Sequence, residues 1–180
     1  VSLTPEEVDR LGEGSVQIEA TQTDGVGNLH AGGAATSSFV IDTIDPEVTI
    51  ADDAAGIAFD GANTVTYTLS FSEAVQSVTE GDLTVTGAES YTVAHDADTA
   101  TATVTVTVSD DSMENVSITV NDSIIDIAGN PLIEAVDNLQ TVDTVNPSTV
   151  GAPAVSDVLV TDADDATTLT VSFSFDEAMD

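Results

Sequence analysis

The sequence predicts an all-β protein built from antiparallel β-sandwiches that repeat along the chain. Apolar and polar side chains alternate along residues 64–71, 101–108 and 116–120, with many β-branched residues, which is typical of half-buried strands. Residues 48–50 and 83–85 are shorter segments of the same kind. Asp, Gly, Asn and Ser dominate the segments between them and favour turns. Several short strands separated by turns are typical of two packed antiparallel sheets.

Three phrases recur along the chain with nearly the same spacing. The two copies of each phrase lie about one hundred residues apart, which is the size of one small domain. A fixed period of this length indicates a tandem array, so we expect function to depend on the array and its joints more than on one cleft. The pairs are Val-Ile-Asp-Thr-Ile-Asp-Pro at 40–46 and Thr-Val-Asp-Thr-Val-Asn-Pro at 141–147, Asp-x-x-Gly-Asn at 24–28 and 126–130, and Ser-Phe-x-Glu-Ala at 70–74 and 174–178.

The repeats divide the chain into one complete unit with a partial unit on each side. Residues 1–45 match the back part of a unit, 46–145 make a complete one, and 146–180 begin the next. The Pro residues of the 40–46 and 141–147 phrases predict short, stiff connections, because Pro fixes its own φ and extends the residue before it. Near the beginning of the chain, Thr-Pro-Glu-Glu-Val predicts a short helical turn with a capping box.

The charge of the chain excludes several classes of partner. Thirty-three Asp and Glu residues face a single Lys or Arg, so the net charge is −32. Such a chain has almost no cations with which to bind phosphate, which argues against nucleic acid and against anionic membrane surfaces. It favours divalent cations or a salty medium that screens the repulsion. Disorder is not expected, because 41% of the residues are hydrophobic and they follow strand patterns.

Other means of stabilisation are missing from the sequence. The chain has no cysteine, so disulfides cannot stabilise it. No run of 18 apolar residues predicts a membrane span. Core packing and bound metal are the means of stabilisation that remain to hold the units together.

Several motifs together resemble one protein family. The Phe-x-Glu-Ala-Val strand end at 71–75, the Asp-x-Ala-Gly-Asn loop at 126–130 and the Asp-Thr-x-x-Pro joint at 42–46 are similar to bacterial immunoglobulin-like tandem repeats of large secreted RTX-type or biofilm adhesins. The segment that begins at Leu11 resembles the same family. The resemblance implies immunoglobulin-like β-sandwiches strung end to end on the bacterial surface, outside the cell, with calcium at or near the joints. Asn146 departs from the pattern, because it replaces the acid found at Asp45.

The acidic and amide side chains at the expected sandwich ends are the candidate calcium ligands. Calcium takes six to eight oxygens from carboxylates, carbonyls and Asn side chains. We expect the first joint to gather Asp24 and Asp42 from the unit before it, and Asp45, Asp52, Asp53 and Glu73 from the unit after it. We expect a second set at the next joint. The alternative is that these residues form turns and a solvated, salt-adapted surface. The candidates are Asp24, Asn28, Asp42, Asp45, Asp52, Asp53, Glu73, Asp126, Asn130 and Asp143, with Asp162, Asp164, Asp165 and Glu177 in the comparable region of the next unit.

The sequence predicts a protein that is not an enzyme. Its only histidines, His30 and His95, lie in polar segments and are expected to be surface turn residues. No phosphate-binding glycine loop follows a predicted strand. The first hypothesis for function is therefore an extender segment of a secreted adhesin, in which neighbouring repeats of the same protein are the partners.

Two other functions compete with the extender. The first is a filament or surface-layer subunit, in which the late strands of residues 1–45 are completed by the early strands of residues 146–180 of another copy. The second is a carbohydrate-binding module, which the low aromatic content of 4% disfavours. The aromatic side chains Phe173 and Phe175, like Tyr67 and Phe71, are expected in strand cores.

Overall fold

The computed structural model describes residues 2–53, 57–59, 61, 63–133, 136–162 and 168–179. A short helix and a hairpin lead into eight strands, and a second hairpin follows them. In chain order the elements are α1 Pro5–Leu11, β1 Gly14–Ala20, β2 Ala35–Ile41, β3 Val48–Asp52, β4 Ile57–Phe59, β5 Thr64–Val75, a 3₁₀ turn Glu80–Asp82, β6 Leu83–Thr86, β7 Ser90–His95, β8 Thr99–Thr107, β9 Val116–Val120, β10 Val136–Asp143, β11 Ala154–Val155 and β12 Val171–Ser172.

The eight strands β3 to β10 form two four-stranded sheets within the described residues. One sheet has the order β3-β5-β8-β7 and the other the order β4-β10-β9-β6. All neighbours are antiparallel except β4 and β10, which run parallel. The two short strands β3 and β4 therefore belong to different sheets although they follow each other in sequence. This arrangement is an immunoglobulin-like β-sandwich, as the sequence predicts, and we call it the central sandwich.

The core of the central sandwich forms where the inner faces of the two sheets meet. On β5, Val65, Tyr67 and Leu69 alternate with polar residues and are fully buried. On β9 of the opposite sheet, Val116 and Ile118 are buried in the same cluster. Period-two alternation puts every second side chain on one face, so each strand supplies half of its residues to the core and half to solvent.

The flanking elements are two hairpins that do not belong to the central sandwich. The N-terminal hairpin consists of β1 and β2, which pair antiparallel. The C-terminal hairpin consists of β11 and β12 together with the bridge between Thr149 and Phe175. Phe173 and Phe175 are exposed, at 58% and 41%, so the expectation that they lie in a strand core is wrong. The physical reason is that, among the described residues, no second sheet lies over the apolar face of this hairpin.

The helical turn predicted near the beginning of the chain is confirmed as α1. The backbone N–H and the hydroxyl of Thr4 donate to the Glu7 carboxylate at 2.8 and 2.9 Å. These two bonds hold the pKa of Glu7 below its usual value. In the described part of the chain, no helix has the length and apolar character needed to cross a membrane.

His95 differs from its expected place in a surface turn. It is the last residue of β7 and is half-buried. The backbone N–H of Val78 donates to its Nδ1 at 3.1 Å, and its Nε2 lies 3.2 Å from the carbonyl oxygen of Thr99. The ring therefore ties β7 to the loop that holds Val78 and to the beginning of β8. His30 is exposed, in the loop between β1 and β2.

We predict that Leu69→Ala destabilises the central sandwich by about 2–5 kcal/mol, because it leaves a cavity in a fully buried position. The measurement is the free energy of unfolding from denaturant titration. Leu139→Ala is the matched control, since Leu139 is 67% exposed on β10 and its loss should cost under about 0.5 kcal/mol. Equal costs for the two variants would contradict this description of the core.

We also predict that Gly87 cannot be replaced by alanine without a large cost. Its φ is +73°, and a Cβ there would lie 2.1 Å from the carbonyl oxygen of Asn115. Gly87→Ala should therefore destabilise by about 3 kcal/mol or more, through both backbone strain and overpacking. Gly61→Ala, with φ +88° and no atom within 4 Å of the new Cβ, isolates the backbone cost of about 1–2 kcal/mol. A Gly87→Ala variant no less stable than Gly61→Ala would contradict the close approach.

Candidate metal centre

Three carboxylates meet where the N-terminal hairpin joins the central sandwich. One oxygen from each of Asp42, Glu73 and Asp126 lies within 4.8 Å of the other two. Asp42 follows the last residue of β2, Glu73 lies in β5, and Asp126 lies in the loop between β9 and β10. The group therefore contains side chains from both sides of the joint, and we call it the joint cluster.

Asp126 is fixed by the Asp-x-x-Gly-Asn loop. The side chain is fully buried, and its carboxylate accepts the backbone N–H groups of Gly129 at 2.6 Å and Asn130 at 2.8 Å, as well as the Asn130 amide at 2.8 Å. Gly129 has φ +103°, which favours glycine in this turn. Burial raises the pKa of Asp126, but these hydrogen bonds outweigh it and the pKa lies below its usual value. Asp126 is therefore held as a carboxylate.

Glu73 reaches the joint because β5 bulges. β5 and β8 pair regularly as far as Ser70 with Thr101, and pairing resumes at Val75 with Thr99. Between these two pairs, β5 advances by five residues while β8 advances by only two. The extra residues of β5 therefore have no partner on β8 and leave the ladder. Burial raises the pKa of Glu73, and the charges of Asp42, Asp126 and Asp45 add to the rise. The charges that act on Glu73 are therefore all negative.

Asp42 connects the two sides of the joint through its backbone as well as its side chain. Its carbonyl oxygen accepts the side-chain amide of Asn130 at 3.2 Å. Ile41 immediately before it and Pro46 shortly after it are buried, so both ends of the connection are packed against protein. Asp45 is half-buried near the cluster and contributes its charge.

The joint cluster has the donor chemistry of a site for a hard divalent cation. Ca²⁺ binds oxygens at 2.3–2.6 Å, so two of its ligands can be at most about 5 Å apart. The separations within the cluster satisfy this limit. A carboxylate has more lone pairs than the hydrogen bonds to Asp126 occupy, so Asp126 can accept these bonds and still bind a metal ion. The cluster could also hold a proton, on Glu73, whose pKa is raised.

Asp24 and Asn28 lie away from the joint cluster. β1 begins beside the joint at Gly14, which pairs with Ile41, and runs away from it, so the loop that follows is at the far end of the hairpin. The Asp24 carboxylate accepts the backbone N–H of Asn28 at 2.8 Å and its amide at 2.8 Å, as Asp126 does from Asn130. These bonds lower the pKa of Asp24. The two loops therefore have the same internal hydrogen bonds.

Asp52 and Asp53 also lie apart from the joint cluster. β3 begins near the joint at Val48 and ends at Asp52, four residues or roughly 13 Å further on. The Asp53 carboxylate accepts the backbone N–H of Thr66 at 2.7 Å. Both acids face Tyr67, whose pKa is raised to about 12 by burial and then by their charges. The Tyr67 hydroxyl is buried and makes no hydrogen bond.

Among the described residues, no group of three carboxylates comes together at the second joint as it does at the first. Asp143 ends β10, and its carboxylate accepts the Val145 N–H at 3.3 Å, much as the Asp42 carboxylate accepts from Ile44 at 3.4 Å. Glu177 and Asp162 are exposed. Asp164 and Asp165 lie outside the described residues.

The threonine of each joint phrase fastens the joint by hydrogen bonds, a role that the sequence did not lead us to expect. The buried Thr144 hydroxyl donates to the Ser109 carbonyl at 2.8 Å and accepts the Ser112 N–H at 2.9 Å. At the first joint, the Thr43 hydroxyl and N–H both donate to the Glu13 carboxylate, at 2.5 and 3.0 Å. These bonds anchor the end of the last strand of each unit. The signal was present, because Asp-Thr recurs in both joint phrases.

Comparison with known proteins gives one match. The sequence model of the family described as bacterial Ig-like domain matches residues 42–146, which contain all eight strands of the central sandwich. Comparisons with curated proteins and with solved structures give no match. The family match includes the three members of the joint cluster and covers more than half of the chain. The chain therefore belongs to the bacterial Ig-like domain family.

Proposed function

We propose that this chain is a non-catalytic extender segment of a secreted bacterial surface adhesin, whose tandem units are held in a fixed relative orientation by calcium at their joints. Its partners are the neighbouring repeats of the same protein. Domains of this family are often extracellular or on the cell surface, which agrees with this role. The net charge of −32 leaves no basic surface for nucleic acid or for anionic lipid.

The observation that carries the proposal is the convergence of Asp42, Glu73 and Asp126 at the first joint. Asp42 belongs to the end of β2, and the other two belong to the central sandwich. A cation bound by all three would neutralise their repulsion and cross-link the two sides of the joint. Without it, the repulsion between Asp42 and the two acids of the sandwich favours separation.

The setting of the cluster suits a site that is filled outside the cell. Extracellular modules bind calcium at about 10⁻⁴–10⁻³ M, well above the concentrations to which cytosolic sensors respond. Such a site stays empty during synthesis and fills on export. With no cysteine in the chain, a metal replaces the disulfide that many extracellular modules use.

The proposal assigns no chemistry to the remaining polar groups. The ring of His95 is engaged on both sides by backbone groups, and His30 is an exposed loop residue. The joint cluster itself is an arrangement of negative charges. Its action is mechanical: it sets the stiffness of the joint.

We predict that calcium raises the thermal unfolding midpoint of the chain by roughly 5–10 °C over EDTA at fixed high ionic strength, because it binds only the folded joint. Magnesium should do much less, since it demands shorter bonds and retains its water. The measurement is calorimetry or circular dichroism with each cation. Equal midpoints in calcium, magnesium and EDTA would mean that the acids form a solvated surface.

Glu73→Gln separates the cluster from the general acidity of the chain. In EDTA this variant should unfold at a higher temperature than the wild type, because the folded joint disfavours the charge of Glu73, as its raised pKa indicates. In calcium the variant should lose most of the response, because a ligand charge is gone. Glu89→Gln, at an exposed position of the sandwich, is the matched control and should change neither midpoint. A full calcium response in Glu73→Gln would refute the assignment.

A further inference from the structure

We propose that two copies of this chain associate side by side through β7, whose free edge pairs antiparallel with the β7 of the second copy. The two β3-β5-β8-β7 sheets then form one continuous sheet about a two-fold axis. The proposal rests on the central sandwich alone and is independent of calcium at the joint cluster.

Three of the four edge strands of the central sandwich are protected in the described residues. The free backbone groups of an edge strand pair readily with another chain, so natural sheets shorten their edges, cover them or place charges and Pro there. β4 and β6 have only three and four residues. β3 is preceded by Pro46, lies against β10 and ends at Asp52. These three edges are therefore poor templates for a further strand.

β7 has none of these protections. Its six residues, Ser90–His95, include no Pro, Asp or Glu. It pairs with β8 in an unbroken register, from Ser90 with Thr107 to His95 with Ala102. Among the described residues, no strand pairs with its other side. In a chain with 33 acids, this uncharged edge is a place where another acidic molecule meets little repulsion from the strand itself.

The register shows which backbone groups lie on the free side of β7. The Val108 N–H donates to the Asn63 carbonyl at 2.8 Å, which fixes the residues of β8 that bond to β5. Bonded residues alternate along an antiparallel strand, so Thr105 on β8 and its partner Thr92 direct their groups at each other. The residues of β7 that direct their N–H and C=O groups away from β8 are therefore Tyr91, Val93 and His95.

The same edge has apolar side chains that remain partly in contact with solvent. Tyr91 and Val93 pack against the core but are only half-buried. Their partners on β8, Val106 and Val104, have an exposure of 0%. A strand added to β7 would cover the open side of Tyr91 and Val93. Apolar burial would then stabilise the contact in addition to the backbone hydrogen bonds.

The β7 strand of a second copy fits this edge because the edge is self-complementary. Pairing centred on Val93 sets this residue opposite Val93 of the second copy, and sets Tyr91 opposite His95 of the second copy. Each of the three bonded pairs has two hydrogen bonds, so about six form in all. One two-fold operation satisfies the free edges of both molecules, and the contact closes as a dimer.

The acids that flank β7 set the conditions for association. Glu89 immediately precedes the strand and Asp96 immediately follows it. In an antiparallel pair, Glu89 of each copy lies near Asp96 of the second copy, so the two ends of the contact repel each other. Salt screens this repulsion and that between the two net charges of −32. Association should therefore increase with ionic strength.

The first test is sedimentation equilibrium of the 180-residue chain in EDTA and molar sodium chloride, over a wide range of protein concentration. The wild type should form a dimer of twice the 18.3 kDa chain, and its proportion should rise with protein concentration and with salt. EDTA removes calcium, so the failure of the joint proposal would leave this result unchanged. A wild type that stays monomeric at millimolar concentration overturns the proposal.

Val93→Pro tests whether the free edge of β7 makes the contact. Pro is tolerated on an edge strand where the missing N–H faces solvent, and Val93 occupies such a position. A variant that keeps a cooperative unfolding transition should dimerise at least tenfold more weakly than the wild type, because it lacks the central donor. Dimerisation of this folded variant at the wild-type level overturns the proposal.

Two cysteine variants test the register at exposed positions, where the fold is not at risk. Thr92 and Ala94 are exposed on β7, and the proposed pairing places Thr92 of one copy opposite Ala94 of the other. Their Cα atoms would be about 4.5 Å apart, which is within the range of a disulfide. An oxidised equal mixture of Thr92→Cys and Ala94→Cys should form a mixed disulfide dimer at least tenfold faster than either variant alone forms its own.

Thr68→Cys is the matched control. Thr68 is exposed on β5, two strands away from β7 in the same sheet. In the proposed dimer the two Thr68 positions are five strand spacings apart, roughly 24 Å, and cannot be bridged by a disulfide. The chain has no native cysteine, so no other thiol competes. A mixture that cross-links no faster than Thr68→Cys overturns the proposal, even if the wild type dimerises, because the contact then lies on another surface.

Discussion

The burial of one alternating strand face against another is the interaction on which the rest of this molecule depends. In the central sandwich, the inner residues of β5 and β9 exclude water from each other, and twenty hydrophobic residues of the described chain are buried. The chain has no disulfide and one basic residue, so neither covalent links nor a network of ion pairs can replace this burial. In the two hairpins, no second sheet lies over the apolar face within the described residues, and the same apolar pattern is in contact with solvent there.

The joint cluster depends on that packed core for its geometry. β5 pairs with β8 before the bulge and again at Val75, so the extra residues between leave the ladder and carry Glu73 to the joint. The loop that holds Asp126 is fastened to the same point, since Gln76 donates to the Ile125 carbonyl at 3.0 Å. Two acids of the sandwich thus converge on a third from the preceding hairpin, and the energy of folding offsets their repulsion.

The strands could be predicted from the sequence because alternation is a local signal. Residues 64–71 and 116–120 follow the pattern and lie in β5 and β9 as expected. The bulge could not be predicted, because Ser72 to Ala74 continue the strand-like composition and only the pairing with β8 reveals the extra residues. The short parallel strand β4 was missed for a similar reason, since its place depends on a partner far away in sequence.

The candidate site could be predicted in part. Asp42 and Glu73 were expected at one joint because they lie in phrases that recur beside it, and the structure places them together. Asp126 was expected in a turn. Its approach to Asp42 depends on the path of the loop between β9 and β10, which is set by contacts with residues distant in sequence and could not be predicted. Asp24 and Asp52 were expected at the same joint, but strand direction carries both away from it.

The central claim is that calcium at the joint cluster fixes the N-terminal hairpin relative to the central sandwich, and a distance measurement across the joint tests it most directly. Because the chain has no cysteine, Ser37→Cys on β2 and Ser90→Cys on β7 would carry the only two spin labels, both at exposed positions. Pulsed electron–electron double resonance should give a narrow distribution of label-to-label distances in calcium and a broad one in EDTA. Distributions of the same width in both conditions would contradict the claim.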